Sequence, residues 1–272
     1  MSKVAVGSIA SLWRYPVKSM LGEQIERTIV TAKGLLGDRA HALLDLSSGK
    51  IASAKYPQKW AKLLDCRSSL KETTFKSDIP TVEIFLPDGS CLDSNNPRLK
   101  EILSDFLATE VELISQSPQN ANIDQYWPKV EGTVQQDTTT QIYLPNGTFF
   151  DSCSIHAITT ATLNKLQELF PKGQFQLQRF RPNIVIEPAS DEVDFIENDW
   201  LGGVLTIGET VQLKIDTLCP RCVVTTLAQG DLPNDLDILR TTAKYNNVIA
   251  GIRSSILQAG EIQQGDLIWL EK

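Results

Sequence analysis

The run Thr210-Val211-Gln212-Leu213-Lys214-Ile215 leads into Cys219-Pro220-Arg221-Cys222, and Val223-Val224-Thr225-Thr226 leads out. Apolar and polar residues alternate through the lead-in, the period of a strand that buries one face. The β-branched residues after Cys222 argue against a helix, so the two thiols are predicted at a bend between two strands. Cys219 and Cys222 are three positions apart, with an arginine beside the second. A guanidinium lowers the pKa of a nearby thiol, and the thiolate is then a nucleophile or a soft-metal ligand. Three uses compete: a structural zinc half-site, a dithiol redox pair, and a single thiolate ligand to a metal cofactor. Structural zinc wants four ligands, usually from paired motifs, whereas Cys66, Cys91 and Cys153 are solitary and the only histidines are His41 and His156. A dithiol redox pair normally starts a helix, which the exit sequence disfavours. Two cysteines packed as small hydrophobes are the plain alternative.

Working outward, Val4 to Trp13 reads as a strand running into the turn Arg14-Tyr15-Pro16-Val17-Lys18-Ser19, where Pro16 stops regular pairing. A strand from Gln24 to Val30 leads to the glycine-marked loop Gly34-Leu35-Leu36-Gly37-Asp38-Arg39, and Ala40 to Asp45 reads as the next strand. Val82 to Leu86 is a strand closed by Pro87-Asp88-Gly89, and Leu99, Ile102, Leu103, Phe106 and Leu107 recur at helical spacing. The polar, proline-containing segment from Ser115 to Gly132 is the predicted linker, dividing the chain into 1–120 and 121–272. Beyond it come a strand from Thr138 to Leu144, a helix with Leu163, Leu166, Leu169 and Phe170 as its buried stripe, and strands at 184–186, 201–207, 210–215 and 266–270. Strands without regularly alternating helices predict a mostly β protein with some helix, α+β in class, built on barrels and not on a doubly wound sheet.

The 272 residues carry 26 basic and 33 acidic side chains, a formal charge of −7. No long single-sign run occurs, and a nucleic-acid binder would normally show a basic face. Five scattered cysteines suit reduced thiols better than a secreted disulfide frame. No basic-then-apolar segment precedes the first strand, and no apolar run reaches membrane-spanning length. The expectation is a cytoplasmic protein with no nucleic-acid or membrane partner.

Polar chemistry is concentrated in a few loops: Pro16-Val17-Lys18-Ser19, Gly37-Asp38-Arg39, Asp151-Ser152-Cys153-Ser154-Ile155-His156, Arg179-Phe180-Arg181-Pro182-Asn183 and Cys219-Pro220-Arg221-Cys222, with Trp200 and a Gly208-ended strand between the last two. In this order the motifs resemble the MOSC family, named for the C-terminal part of molybdenum cofactor sulfurases. The N-terminal half resembles the β-barrel domain that precedes MOSC in the mitochondrial amidoxime-reducing component and in bacterial YcbX-type proteins. The resemblance covers nearly the whole chain and implies an N-terminal barrel-like domain followed by a MOSC barrel.

It also implies a molybdenum–molybdopterin cofactor. In the family the second cysteine of the motif coordinates molybdenum, which makes Cys222 the expected metal ligand and catalytic residue, with Arg221 helping to keep it ionised and Cys219 expected only to pack. Lys18, Arg39 and Arg181 stand at the family positions that grip the cofactor, whose phosphate calls for guanidinium or ammonium donors. Ser19 adds hydrogen bonds there. Asn183 either anchors the pterin or holds its loop. Asp151, Ser152 and Ser154 match the segment that approaches the pterin, and helix capping is the alternative role for them. His156 and His41 are expected to be core residues. Some relatives have a tyrosine where this chain has Ile252-Arg253, which bears on the shape and charge of the mouth.

The activity implied is two-electron reduction of a small N-hydroxylated substrate, with electrons from a separate donor protein of ferredoxin or flavoprotein reductase type. No cysteine follows Cys222, so no iron–sulfur cluster is expected downstream. The alternative is a non-catalytic carrier of the molybdenum cofactor or of sulfur. The family's association with pyridoxal phosphate comes through the sulfurases, and no lysine here stands out for it.

Overall fold

The computed structural model describes residues 3–71, 80–134, 136–191 and 193–272. Its centre is a closed barrel of seven strands. Around it run Ile184–Pro188, Ile155–Thr159, Ile249–Gln258, Val211–Pro220, Val204–Ile207, Leu267–Glu271 and Lys3–Arg14, and the last pairs back onto the first. Closure is made by the opening strand of the chain: Gly7 stands opposite Pro188 and Leu12 opposite Ile184. A Cβ at Gly7 would lie 2.2 Å from the Glu187 carbonyl oxygen, so only glycine lets the two strands approach there. Lys3–Arg14 thus joins the N-terminal half to a barrel otherwise drawn from beyond residue 150.

Alternation builds the barrel interior. Val211, Leu213 and Ile215 point inward from one strand, and with Ile9, Leu12, Leu205, Ile207, Ile252 and Ile268 they form one apolar core. Ile155–Thr159 and Ile184–Pro188 run parallel, linked by the helix Thr160–Leu169. A second core belongs to the N-terminal half, where the sheet Arg67–Leu70, Val82–Phe85 and Cys91–Asp93 packs with helix Leu99–Leu107 around Trp60, Leu63, Ile84 and Leu103.

Four sequence expectations change. The chain does not leave Cys222 as a strand: Val223–Thr226 is a 3-10 turn, with Cys222 at its start. The polar segment after Ser115 is not a bare linker, because Asn122–Trp127 pairs with Thr138–Tyr143 in an antiparallel hairpin. Asp151 and its neighbours do not cap the helix. The strand Ile155–Thr159 intervenes, and Thr159 Oγ1 accepts from the Thr162 amide at 3.1 Å. Helix Asp237–Asn246 and strand Ile249–Gln258 were not foreseen at all, yet the strand lies between two others in the barrel wall. Among the described residues no helix is long and apolar enough to cross a membrane.

Candidate functional site

One end of the barrel opens into a cavity of about 630 Å³, within the range of small-molecule sites. The distant loops singled out by sequence meet there. Lys18, Ser19, Arg39, Asp151, Ser152, Arg181, Asn183, Arg221 and Cys222 all line it. Ser154 does not; it packs beside Gly34. Three further groups join the wall: Lys55, Arg253 and Cys219. Six cations therefore face this space, and Asp151 is the one carboxylate among the described lining residues. On a chain of net charge −7, such a concentration marks an anion site.

The cations are held in three groups. Lys18 Nζ lies 2.5 Å from Asp151 Oδ1 and donates to the Phe149 carbonyl at 2.8 Å, while Lys55 Nζ lies 3.0 Å from Asp151 Oδ2. Burial works against ionisation of Asp151, but the two lysines more than reverse it and hold the carboxyl well below the usual carboxylate range. Burial lowers the Lys18 pKa, and Asp151 opposes it.

The second group is organised by Tyr15. The guanidinium carbons of Arg39 and Arg181 each stand 4.4 Å from its ring centroid, where the ring quadrupole attracts a cation. Behind them Asp38 accepts from the Tyr15 amide (2.8 Å), Asn183 Nδ2 (2.9 Å) and Arg39 Nη1 (2.5 Å). Asn183 Oδ1 in turn accepts from the His156 amide at 3.1 Å, so its side-chain amide ties loops together. Among the described residues Arg181 has no ion pair. Burial first, and Arg39 second, depress its pKa to about 10, and its buried Nη1 has no partner. Ser19, Arg39 and Arg181 all take left-handed backbone conformations (φ 67°, 48° and 53°), a strain that non-glycine residues keep where the surroundings enforce it.

The third group surrounds sulfur. Arg221 Nη1 donates to Cys219 Sγ at 2.9 Å and lies 3.3 Å from His156 Nε2; Nη2 donates to the Phe180 carbonyl at 2.6 Å. Burial would raise the Cys219 pKa, but Arg221, His156 and Arg253 together bring it well below the ordinary thiol value. The buried Cys219 sulfur therefore accepts a guanidinium hydrogen bond in addition to packing. Cys153, also on the wall, stays a thiol: burial pushes it up to about 11. His156 is buried but is no inert core residue, since its ring faces the cavity. Gly251 makes room for it, because a Cβ there would lie 2.5 Å from His156 Nε2. Cys222 is half-buried at the cavity edge.

Sequence reasoning missed Lys55 and the role of Cys219, and met Arg253 only as a departure from a family pattern. Lys55 carried a faint signal, lying in a loop just before Pro57. Nothing local marks Arg253, which reaches the site because strand Ile249–Gln258 sits next to Val211–Pro220.

Both halves of the chain match known domain families. Residues 6–80 match the MOSC N-terminal beta barrel domain and residues 146–269 match the MOSC domain. The chain is 26% identical to the Homo sapiens protein "Mitochondrial amidoxime reducing component 2" over 97% of its own length and 83% of the relative's. The Rattus norvegicus protein of the same name is 27% identical over the same shares. Among solved structures, the YUAD protein from Bacillus subtilis aligns over 99% of this chain and 97% of its own, with a TM-score of 0.49 and 10% identity.

Proposed function

The chain is a MOSC-domain protein with a MOSC N-terminal barrel, and from that membership we propose that it binds a molybdenum–molybdopterin cofactor and reduces N-hydroxylated compounds such as amidoximes. The observation that carries the reading is the lining itself: six cations and one carboxylate close around thiol groups in a cavity of ligand size. Those residues suit the group. A phosphate needs fixed cationic donors, and Arg181 offers a buried Nη1 without a partner. A metal of this kind takes soft sulfur donors, and Cys222 stands at the cavity edge. The relatives' names point to amidoximes as well.

In this reading Cys222 is the protein's metal ligand. Lys18, Ser19, Arg39 and Arg181 hold the phosphate end, and Asp151 and Ser152 line the pterin's side. When bound, the cofactor supplies the two-electron couple that the chain itself lacks. Overall, two electrons and two protons break the amidoxime N–O bond, giving an amidine and water; the electrons come from a separate ferredoxin or flavoprotein reductase. The chain contributes orientation and charge.

The test is molybdenum analysis of wild type and Cys222→Ala made in a host that synthesises molybdopterin, followed by assay with a chemical reductant and an aromatic amidoxime. Near-stoichiometric molybdenum in wild type, lost in the variant, together with amidine formation, is the expected result. Molybdenum-loaded protein that forms no amidine would overturn the reductase reading. A carrier of cofactor or sulfur would then stand, favoured by Cys219 as a second sulfur in the same cavity.

A further inference from the structure

Of the motif Arg179-Phe180-Arg181-Pro182-Asn183, the cavity wall takes up Phe180, Arg181 and Asn183, and Arg179 does not reach it. Arg179 is wholly buried, and its guanidinium bonds to backbone. Nη1 donates to the carbonyls of Thr225 and Leu227, both at 3.1 Å, Nη2 to that of Pro233 at 2.7 Å, and Nε to that of Gln174 at 2.9 Å. Among the described residues no carboxylate forms an ion pair with it; burial lowers its pKa, and Asp235 opposes that only in part. A buried cation without a paired counter-ion is unfavourable unless its hydrogen bonds are made, so the four carbonyls are what hold it there. Three of the four belong to the chain that leaves Cys222. Helix Leu177–Phe180, which carries Arg179, packs on the 3-10 turn Val223–Thr226. That turn satisfies its first carbonyls itself. Thr225 donates to the Cys222 carbonyl from its amide (3.1 Å) and from Oγ1 (2.9 Å), and Thr226 Oγ1 donates to the Val223 carbonyl at 2.7 Å. The later carbonyls, at Thr225 and Leu227, are those that Arg179 takes. The flank before Cys222 is held by the same helix, since Arg221 Nη2 donates to the Phe180 carbonyl.

We propose that Arg179 is a positioning residue: from behind the cavity wall it fixes the turn that starts at Cys222, and with it the place and exposure of the Cys222 thiol. The inference rests on the proposed function for its purpose, since there Cys222 is the metal ligand. The bonding carries it. Cys222 has no side-chain capping bond at the start of the turn and is half-buried at the cavity edge. Its carbonyl is held by Thr225, and the Thr225 carbonyl is held by Arg179, so two steps of hydrogen bonding join the guanidinium to the thiol-bearing residue. A guanidinium presents its donors in a fixed fork, which here spans Thr225, Leu227 and Pro233 at once; an ammonium is a single point and cannot. The helix ends in Arg181, whose guanidinium lines the cavity, so one short element sets the thiol and the anion-binding cations in a common frame.

The test needs no turnover. Cofactor-free wild type is compared with Arg179→Gln, which removes the charge, with Arg179→Lys, which keeps it, and with Leu213→Ala, a change in the barrel core that leaves these bonds untouched. Urea unfolding measures what each variant loses in stability. Alkylation by iodoacetamide at fixed pH, read at Cys222 by peptide mass spectrometry, reports the thiol itself. Loosening the turn opens it locally, so Cys222 should react about threefold faster or more in Arg179→Gln, with Arg179→Lys between it and wild type. Leu213→Ala should react at the wild-type rate although it also loses stability. Should Arg179→Gln not fold, Arg179→Lys against Leu213→Ala decides the matter. A Cys222 rate unchanged in the Arg179 variants, or raised equally by Leu213→Ala, overturns the positioning role. Faster alkylation in the Arg179 variants, together with a wild type that takes up no molybdenum in a host that makes molybdopterin, sinks the cofactor reading and leaves the positioning role standing.

Discussion

Arg221 Nη1 donates to the sulfur of Cys219 at 2.9 Å, two residues back along the chain. The motif thereby spends its guanidinium on the buried first cysteine and leaves the second half-exposed at the cavity edge. The two thiols are thus chemically unequal. Cys219 is the buried sulfur of the cationic wall, bonded by Arg221 and close to Arg253.

That pairing is measurable. A cycle of Arg221→Ala, Cys219→Ala and the double variant, followed by urea unfolding of the cofactor-free protein, should show a coupling of about 1–2 kcal/mol, the scale of a buried charge-assisted hydrogen bond. Strictly additive single effects would mean that the 2.9 Å contact carries no energy.

Tyr15 invites the next substitution. Its ring stands between the site's two unequal arginines, yet its buried hydroxyl has no partner, and burial pushes its pKa up to about 12. Phenylalanine keeps the ring and removes an unpaired polar group, so Tyr15→Phe should be neutral or stabilising by up to about 1 kcal/mol. Tyr15→Leu removes the quadrupole and should weaken pyrophosphate binding several-fold, read as a smaller rise in Tm with added pyrophosphate. Equal damage from both variants would give the hydroxyl a role that the geometry does not.

Much of this was legible in the sequence, and the limits have physical causes. The alternation of Val211, Leu213 and Ile215 announced a barrel strand because one of its faces is core and the other is not. Strand Ile249–Gln258 was silent. Ile249-Ala250-Gly251-Ile252 is buried at three successive positions, and glycine and serine interrupt the remainder, so no period of two survives. Helix Asp237–Asn246 hid for a similar reason, since Thr241 and Thr242 lie on its inner face. Lys18, Arg39 and Arg181 were recoverable from ordered motifs. Lys55 and Arg253 meet only in the folded chain, from positions 198 residues apart (253 − 55), and no local pattern encodes such a meeting.

Asp151 separates two demands on the site. It pairs with Lys18 and Lys55, whose side chains are largely buried, while keeping an open side of its own. Asp151→Asn leaves two ammonium groups without a counter-charge, and the expected loss of stability is about 1–2 kcal/mol once solvent screening at the open side is allowed for. The same change adds a net positive charge to the cavity, so pyrophosphate should bind several-fold more tightly. Stability falling while anion affinity rises is the signature; a fall in both would place Asp151 among the anion's own contacts.

His41 sets an acid limit on the loop that carries Lys18. Its amide donates to the Pro16 carbonyl and its carbonyl accepts from the Lys18 amide, at 3.0 and 2.9 Å, while the buried ring has an unpartnered Nδ1. Burial lowers its pKa to about 4. Between roughly pH 6.5 and 4 the unfolded chain binds a proton that the folded one refuses, so stability is intact above that window and declines as pH falls through it. The full effect is about 3 kcal/mol on the order-of-magnitude scale of 1.36 kcal/mol per pKa unit. His41→Gln cannot titrate, and its stability profile by urea unfolding should run flatter than wild type across this window. Parallel profiles would mean that the ring finds a proton acceptor in the fold. Because the ladder at Pro16 and Lys18 uses only the backbone of His41, the glutamine variant should keep its pyrophosphate affinity at pH 7, separating the titration from the site.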